Sequence, residues 1–261
     1  MASDPSSVTQ SAVNARAWSR SGRRLVQAYA GTELTAPEAA MLDHHREALR
    51  GRALELGTGP GRFTGHLAEI ADEVHGMDIA PAMVERARAL HPSVTFEVGD
   101  MLDLSRYADG SFDTVAAIAN VIDVFGEEDR DTALREIRRV LRPGGLLILS
   151  THNRGHAPHV GRPWTNLRGQ PLKDLLRLPR RVFNHLRMRR FERETATYAV
   201  LNDVSHNFKM VHHYVSRDDA EAQLTANGFR LVECLDVDGR EVAPGDRAEA
   251  SPTLHYAALA A

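Results

Sequence analysis

Three turns in the first half of the chain carry the residue types needed to hold a nucleoside. The run Ala53-Leu54-Glu55-Leu56-Gly57-Thr58-Gly59-Pro60-Gly61 is an apolar strand that feeds a glycine-rich turn and then a helix. Glycine permits positive φ angles there and lets the backbone approach a ligand closely. Ligands of open α/β sheets bind beyond the carboxyl ends of the strands, where this turn lies. About twenty residues beyond Gly57 the strand Glu73-Val74-His75-Gly76-Met77-Asp78 ends on a carboxylate, which can accept both hydroxyls of a ribose. A third strand closes on Gly99-Asp100-Met101, offering an acceptor for an adenine amino group and a thioether to pack on its ring. Alone, G-x-G-x-G also serves as a tight turn with no ligand, and Arg62 stands where a dinucleotide fold wants glycine or alanine. The ordered set is the signal.

Histidines offer a second kind of chemistry. His152, His156 and His159 follow one predicted strand, and His206, His212 and His213 lie in a predicted hairpin. His152 comes directly after the strand end, which makes it the candidate general base. His212 and His213 alternate across a strand, so only one of them can face inward. A loop histidine otherwise serves as polar surface. The spacing of His152, His156 and His159 is ligand-like, but no cysteine or carboxylate partner stands beside them, and no metal is expected.

The elements that must position these groups alternate in type. Arg52–Leu56, Glu73–Asp78, Val94–Val98, Phe112–Ala119 and Gly145–Ser150 are predicted strands. Gly61–Ala71, Pro81–Leu90 and Glu128–Leu141 are predicted helices between them. Such β-α alternation implies right-handed crossovers and a mostly parallel sheet covered on both faces. Residues 1–12 read as a disordered tail, and residues 13–50 as helices over the cleft, with Thr35-Ala36-Pro37-Glu38 as a helix start. Ser216 is a predicted N-cap for a helix ending at Gly228, and Phe229–Leu235 and Leu254–Leu259 are the last two strands.

Composition sets the frame. The chain has 261 residues, 43% hydrophobic and 26% charged, enough for one α/β domain with an insertion. A net charge of −3 argues against nucleic acid as the partner. The single cysteine, Cys234, excludes an intrachain disulfide. No apolar run approaches the ~20 residues of a membrane span, and a cytoplasmic location is expected.

At this point the sequence resembles the class I S-adenosylmethionine (SAM)-dependent methyltransferases. The matching residues are Glu55–Gly61, Met77-Asp78-Ile79-Ala80-Pro81-Ala82-Met83, Gly99-Asp100-Met101, Phe112-Asp113-Thr114-Val115 and Val140-Leu141-Arg142-Pro143-Gly144-Gly145. The resemblance covers residues 50–151 closely, then 213–235 and the last strand. It implies a Rossmann-like seven-stranded sheet, last strand antiparallel, and SAM as methyl donor with S-adenosylhomocysteine as product. By the same resemblance Gly57 and Gly59 would lie against the methionine part of SAM, with Thr58 also binding the cofactor and Glu55 orienting the turn. Asp78 would hold the ribose, with Met77, Ile79 and Met83 around it. Asp100 and Met101 would meet the adenine, Asn120 would face the cofactor near its sulfur, and Tyr29 or Arg24 would cover its carboxylate.

Residues 152–215 interrupt the alternation as an insertion after the fifth strand. Arg162–Arg193 is basic and reads as an amphipathic helix pair broken near Pro179; Tyr198–Val204 and Phe208–Val215 read as two strands. Its apolar stripe could pack on the sheet edge, the segment could be a lid, or its arginines could meet RNA or anionic lipid. Trp18, Trp164, Tyr198, Asn202, His213 and Tyr214 are the candidate acceptor contacts. The expected activity is methyl transfer to an oxygen or nitrogen of a small molecule. The alternatives are RNA methylation through the basic insertion, SAM binding without transfer, and NAD-dependent redox chemistry.

Overall fold

A computed structural model describes residues 9–19, 26, 31, 33–160, 162–164 and 171–261. Arg24 and Tyr29 lie outside the described residues. The chain opens with α1 (Gln10–Ser19) and α2 (Ala36–His44). Helix α2 starts where the sequence signals it: the Thr35 backbone N–H donates to Glu38 Oε2 at 2.8 Å, satisfying a donor that a helix start leaves open. Helix α1 begins inside the stretch expected as a tail, with Gln10, Ser11 and Asn14 buried. The cause is specific hydrogen bonding: Gln10 Nε2 donates to the Phe125 carbonyl at 3.0 Å and Asn14 Nδ2 to those of Val124 and Val211 at 2.7 and 2.8 Å.

The alternating core follows as β1 (Arg52–Leu56), α3 (Arg62–Leu67), β2 (Glu73–Asp78), α4 (Pro81–Leu90), β3 (Thr95–Val98), β4 (Phe112–Ala117), α5 (Glu127–Val140) and β5 (Leu141–Asn153). Strands β3-β2-β1-β4-β5 are parallel neighbours. On the far side of β5 run β10 (Thr253–Ala260), antiparallel, and then β9 (Phe229–Leu235). Successive residues of a strand face opposite sides, and here both sides are core. Leu54 and Leu56, Val115 and Ala117, Leu147 and Leu149 belong to one cluster, while Ala53, Ala116, Leu146 and Ile148 belong to the other. Helix α5 carries Glu127, Glu128 and Asp129 in its first turn and Arg138 and Arg139 in its last, opposing the helix dipole at each end.

The insertion adds three strands, so the sheet formed by the described residues has ten where the resemblance implied seven. Strands β6 (Arg193–Glu194), β7 (Tyr198–Leu201) and β8 (His212–Val215) form an antiparallel ribbon. It joins β5 through two register pairs, His152↔Tyr214 and Asn153↔Val215. Helix α7 (Arg217–Ala226) then starts at Ser216, whose hydroxyl accepts from the Asp219 N–H.

Helix α6 (Pro171–Met188) departs from expectation twice. It is one helix with Pro179 inside it, not a pair. It also points its apolar stripe outward: Leu175, Leu176, Phe183 and Leu186 are exposed, while Arg181, His185 and Met188 are buried. The stripe therefore does not pack on the sheet edge. The helix is held instead by His185 Nδ1 on Asn202 Oδ1 at 2.7 Å and by Met188 against Val200 and Val211. No helix among the described residues is long and apolar enough to cross a membrane.

Candidate active site

The carboxyl ends of β1, β2, β3 and β4 converge on one cavity of about 330 Å³, within the usual size of a small-ligand site. Glu55, Gly57, Thr58, Gly59, Asp78, Ile79, Met83, Asp100, Met101 and Asn120 all line it. Convergence follows from topology: parallel strands in adjacent positions end on the same edge, so residues distant in sequence meet there.

The glycine turn is held from both sides. Gly57 and Thr58 N–H groups donate to the Met77 carbonyl at 2.8 and 3.0 Å, and the Gly59 N–H donates to Asp78 Oδ2 at 2.8 Å. The other oxygen of Asp78 accepts from the Ala80 N–H at 2.8 Å, so the carboxylate is fixed at the cavity edge with lone pairs to spare. Burial pushes its pKa up, against these two hydrogen bonds. Gly57 sits at φ +68°, and a Cβ there would lie 2.5 Å from Val121 Cγ1. Gly59, at φ +56°, would point a Cβ into open space.

Glu55 lies beneath the turn and accepts from the hydroxyls of Thr58, at 3.3 Å, and Thr64. Complete burial pushes its pKa from the ordinary 4.5 up to about 8, outweighing both threonines. A carboxyl raised on folding favours the folded state below its unfolded value, and that contribution is lost as pH rises through the folded one. Glu55→Gln should match the parent near pH 5 and exceed its Tm at pH 8 by on the order of 5 °C. Thermal melts across that window test this, and a gap independent of pH would contradict it.

At the end of β4 the chain makes an unusual turn. Ala119 and Asn120 both adopt left-handed φ, 55° and 58°, a conformation that costs non-glycine residues about 1–2 kcal/mol each. The turn is held by the Asn120 N–H donating to Ser150 Oγ at 2.9 Å. Asn120 Oδ1 is buried with no hydrogen-bond partner among the described residues. A buried acceptor without a donor is costly, and its position on the cavity wall suits a ligand ammonium or hydroxyl.

The far wall carries His152, at the end of β5, and His212, at the start of β8, with Ser205 and His206 from the loop between β7 and β8. Asp123 is fully buried in the turn after β4. One of its oxygens accepts from both the backbone N–H and Nδ1 of His152, at 2.6 and 2.7 Å, and the other from Arg130 at 2.6 Å. Burial pushes Asp123 upward, but His152 and Arg130 outweigh it and hold the carboxyl below its ordinary range. With Nδ1 on a carboxylate, His152 turns only Nε2 to other partners, the arrangement a general base requires.

The candidate acceptor contacts divide. Trp18 lines the cavity. Trp164 is exposed and meets His185 edge-on at 5.9 Å. Tyr198 stacks on His213 at 4.7 Å, and His213 turns Nε2 to Glu127 at 2.8 Å, away from the cavity lining. The strand alternation thus resolves in favour of His212. Asn202 is buried as a bracket, donating to the carbonyls of Phe208 (3.1 Å) and Met210. Tyr214 stands behind the wall, its ring 4.8 Å from His152 and its hydroxyl on Asp203 at 2.9 Å. Sequence reading missed Asp123 and Asp203, which carry no local motif; only their pairing with histidines from other segments marks them.

Comparison with known proteins agrees with this geometry. The profile of a family described as a methyltransferase domain matches residues 53–145. The matched stretch is thus similar to a methyltransferase domain, and it contains the glycine turn, Asp78, Asp100 and Asn120. It is 35% identical over 108 residues to a ubiquinone biosynthesis O-methyltransferase of Xanthomonas oryzae, covering 40% of this chain and 44% of that one. It is 30% identical over 159 residues to a malonyl-[acyl-carrier protein] O-methyltransferase of Erwinia billingiae, covering 59% and 61%. The chain thus spans about half the length of these methyltransferase relatives. In fold it is similar to the 1,6-didemethyltoxoflavin-N1-methyltransferase of Burkholderia thailandensis, with a TM-score of 0.63, 16% identity, and coverage of 100% and 92%.

Proposed function

We propose that this chain is a class I SAM-dependent methyltransferase, which moves the methyl group of SAM to an oxygen or nitrogen of a small-molecule acceptor lying between the glycine turn and the His152 wall. The observation that carries the reading is one shared cavity: three successive strand ends with nucleoside-binding chemistry on one side, a buried Asp–His pair on the other. The orphaned Oδ1 of Asn120 fits the donor, because an amino-acid ammonium supplies the missing N–H. In this reading Gly57, Thr58 and Gly59 hold the methionine part, Asp78 the ribose, and Asp100 and Met101 the adenine. Met77, Ile79 and Met83 border the nucleoside. Residues 152–215 close the acceptor side, and the reaction is placed in the cytoplasm.

SAM supplies a methyl group already activated on a sulfonium, so the protein's part is chiefly alignment, which contributes roughly 7–11 kcal/mol in well-oriented systems. His152 Nε2 takes the acceptor proton while Asp123 holds the ring in its Nδ1–H tautomer. Arg130 keeps Asp123 ionised throughout.

Titration calorimetry with SAM, followed by S-adenosylhomocysteine release over an acceptor panel, tests the reading. Failure to bind SAM overturns it. Binding without release would make the chain a SAM-binding protein, and salt-sensitive methylation of RNA would replace the small molecule by nucleic acid. Gly59→Ala is a sharper probe. Its methyl meets no protein atom within 4 Å, so the fold should lose only about 1 kcal/mol. SAM affinity should fall at least tenfold, and unchanged affinity would place the donor elsewhere.

A further inference from the structure

A second imidazole stands beside the proposed base and has its own buried carboxylate. The His152 and His212 rings stack with centroids 5.1 Å apart and an interplanar angle of 30°. Each has Nδ1 on an aspartate: His152 on Asp123 at 2.7 Å, His212 on Asp203 at 2.8 Å. One donor atom from each of His152, His212 and Asp203 falls within 4.8 Å of the others. Both residues line the one cavity, and Nε2 is in each the ring nitrogen that is not on an aspartate.

The two pairs differ in where the negative charge is balanced. Asp123 has Arg130 on its second oxygen at 2.6 Å, so its charge is neutralised with His152 uncharged. Asp203 has no such partner among the described residues. Its oxygens accept from His212 Nδ1, the Tyr214 hydroxyl and the Ser205 N–H, three donors that only the ionised carboxylate serves fully. Among the described residues no arginine or lysine pairs with Asp203. A buried carboxylate without a cation is expensive, so its counter-charge must sit on His212.

We infer that His212 is an imidazolium that donates Nε2–H to the acceptor molecule, and that the acceptor is a hydroxyl compound bearing a second oxygen on the adjacent carbon. His152 Nε2, a lone pair, meets the hydroxyl that is methylated; His212 Nε2–H meets its neighbour. Side by side, one acceptor and one donor match an ortho-dihydroxy, hydroxy-carbonyl or hydroxy-carboxylate pair, and an isolated hydroxyl leaves the His212 proton unmet. The inference rests on the methyl-transfer reading, in which the hydroxyl proton passes to His152 Nε2 as the O–CH3 bond forms and the sulfonium S–CH3 bond breaks to a neutral thioether.

Charge on His212 is consistent with its surroundings. Burial lowers its pKa, but Asp203 overrides this by charge and hydrogen bond, with Asp123 adding to it, and the net shift is upward. Asp203 is correspondingly held below the ordinary carboxylate range, against the upward push of burial. The other titratable neighbours are His152, Tyr214 and His206, the last shifted downward by burial and then by the charge of His212.

The test uses the S-adenosylhomocysteine-loaded protein. Nitrogen NMR of labelled imidazoles at pH 7.5, assigned with His152→Gln and His212→Gln, should show both nitrogens of His212 protonated and only Nδ1 of His152. A neutral His212 overturns the inference, as does a divalent metal co-purifying on the two rings. Catechol and phenol are then compared by calorimetry and by turnover. Catechol should bind at least tenfold more tightly, and His212→Gln should bring the two within about twofold through catechol KM, with SAM affinity unchanged. Equal binding of the two probes, or none, overturns the inference. Preferential catechol binding with no methyl transfer to any acceptor overturns the activity alone.

Discussion

Replacing His152 by glutamine should lower the rate of methyl transfer by about 10²–10⁴-fold, the range a positioned general base supplies. Glutamine keeps a donor for Asp123, so the buried carboxylate stays satisfied while the proton acceptor at Nε2 is lost. SAM affinity should not change, because His152 sits on the wall opposite the glycine turn. Single-turnover rates with saturating SAM separate the two effects. A variant with an undiminished rate would show that proton removal is left to solvent, and the Asp123–His152 pair would then be scaffolding. The same question asked through Asp123 would be confounded. Its removal would leave Arg130 a buried, uncompensated cation, a defect that costs 3–5 kcal/mol of stability in comparable buried pairs.

The second large effect is expected at Asp78. Asp78→Ala removes the anchor of the Gly59 N–H and of the Ala80 N–H, and with them the proposed ribose acceptor. Hydrogen bonds to a charged group contribute ~1.5–3 kcal/mol each, so SAM should bind on the order of 10²-fold more weakly. Because Asp78 is nearly buried and its pKa is raised by that burial, Asp78→Asn is the informative companion. It keeps the shape and one acceptor, and should recover part of the loss. Calorimetry on the folded variants decides; unchanged affinity in Asp78→Ala would refute the assignment of this side of the cavity.

That the glycine turn and the next three strand ends share one cavity was legible from the sequence because topology converts order into position. Gly57, Asp78, Asp100 and Asn120 follow successive strands, and parallel neighbouring strands end on one edge, so reading along the chain is reading around the cavity. The glycine turn itself needs positive φ at positions 57, 59 and 61, a demand that shows in residue type. The His152 side of the cavity had no such code. Whether His212 or His213 faces inward depends on the register of β8 against β5, which rests on two residue pairs and no local signal. Asp123 meets His152, and Asp203 meets His212, across turns whose geometry is set by packing. Helix α6 misled for the opposite reason. Its periodicity is real, but its polar stripe finds specific partners, Asn202 above all, and so the polar side is the one buried. The strand count differs for a related reason: β7 and β8 were legible as strands, but their joining to β5 was not, and the two-residue β6 exists only through pairing with β7.

The short seam between β5 and β8 has an evolutionary consequence. The chain leaves the core after Asn153 and re-enters it at His212, on strands in register a single sheet spacing apart, about 4.8 Å. Anything that departs and returns at adjacent points can be lengthened, trimmed or exchanged with little demand on the core it leaves. Residues 154–211 are in that sense a cassette, and its borders fall just inside the two facing histidines. Asp203 lies within the cassette, whereas Asp123 and Arg130 belong to the core. Swapping the cassette would reset the charge on His212 while leaving His152 as it was, so acceptor preference could drift among descendants of one ancestor while the donor machinery stayed fixed.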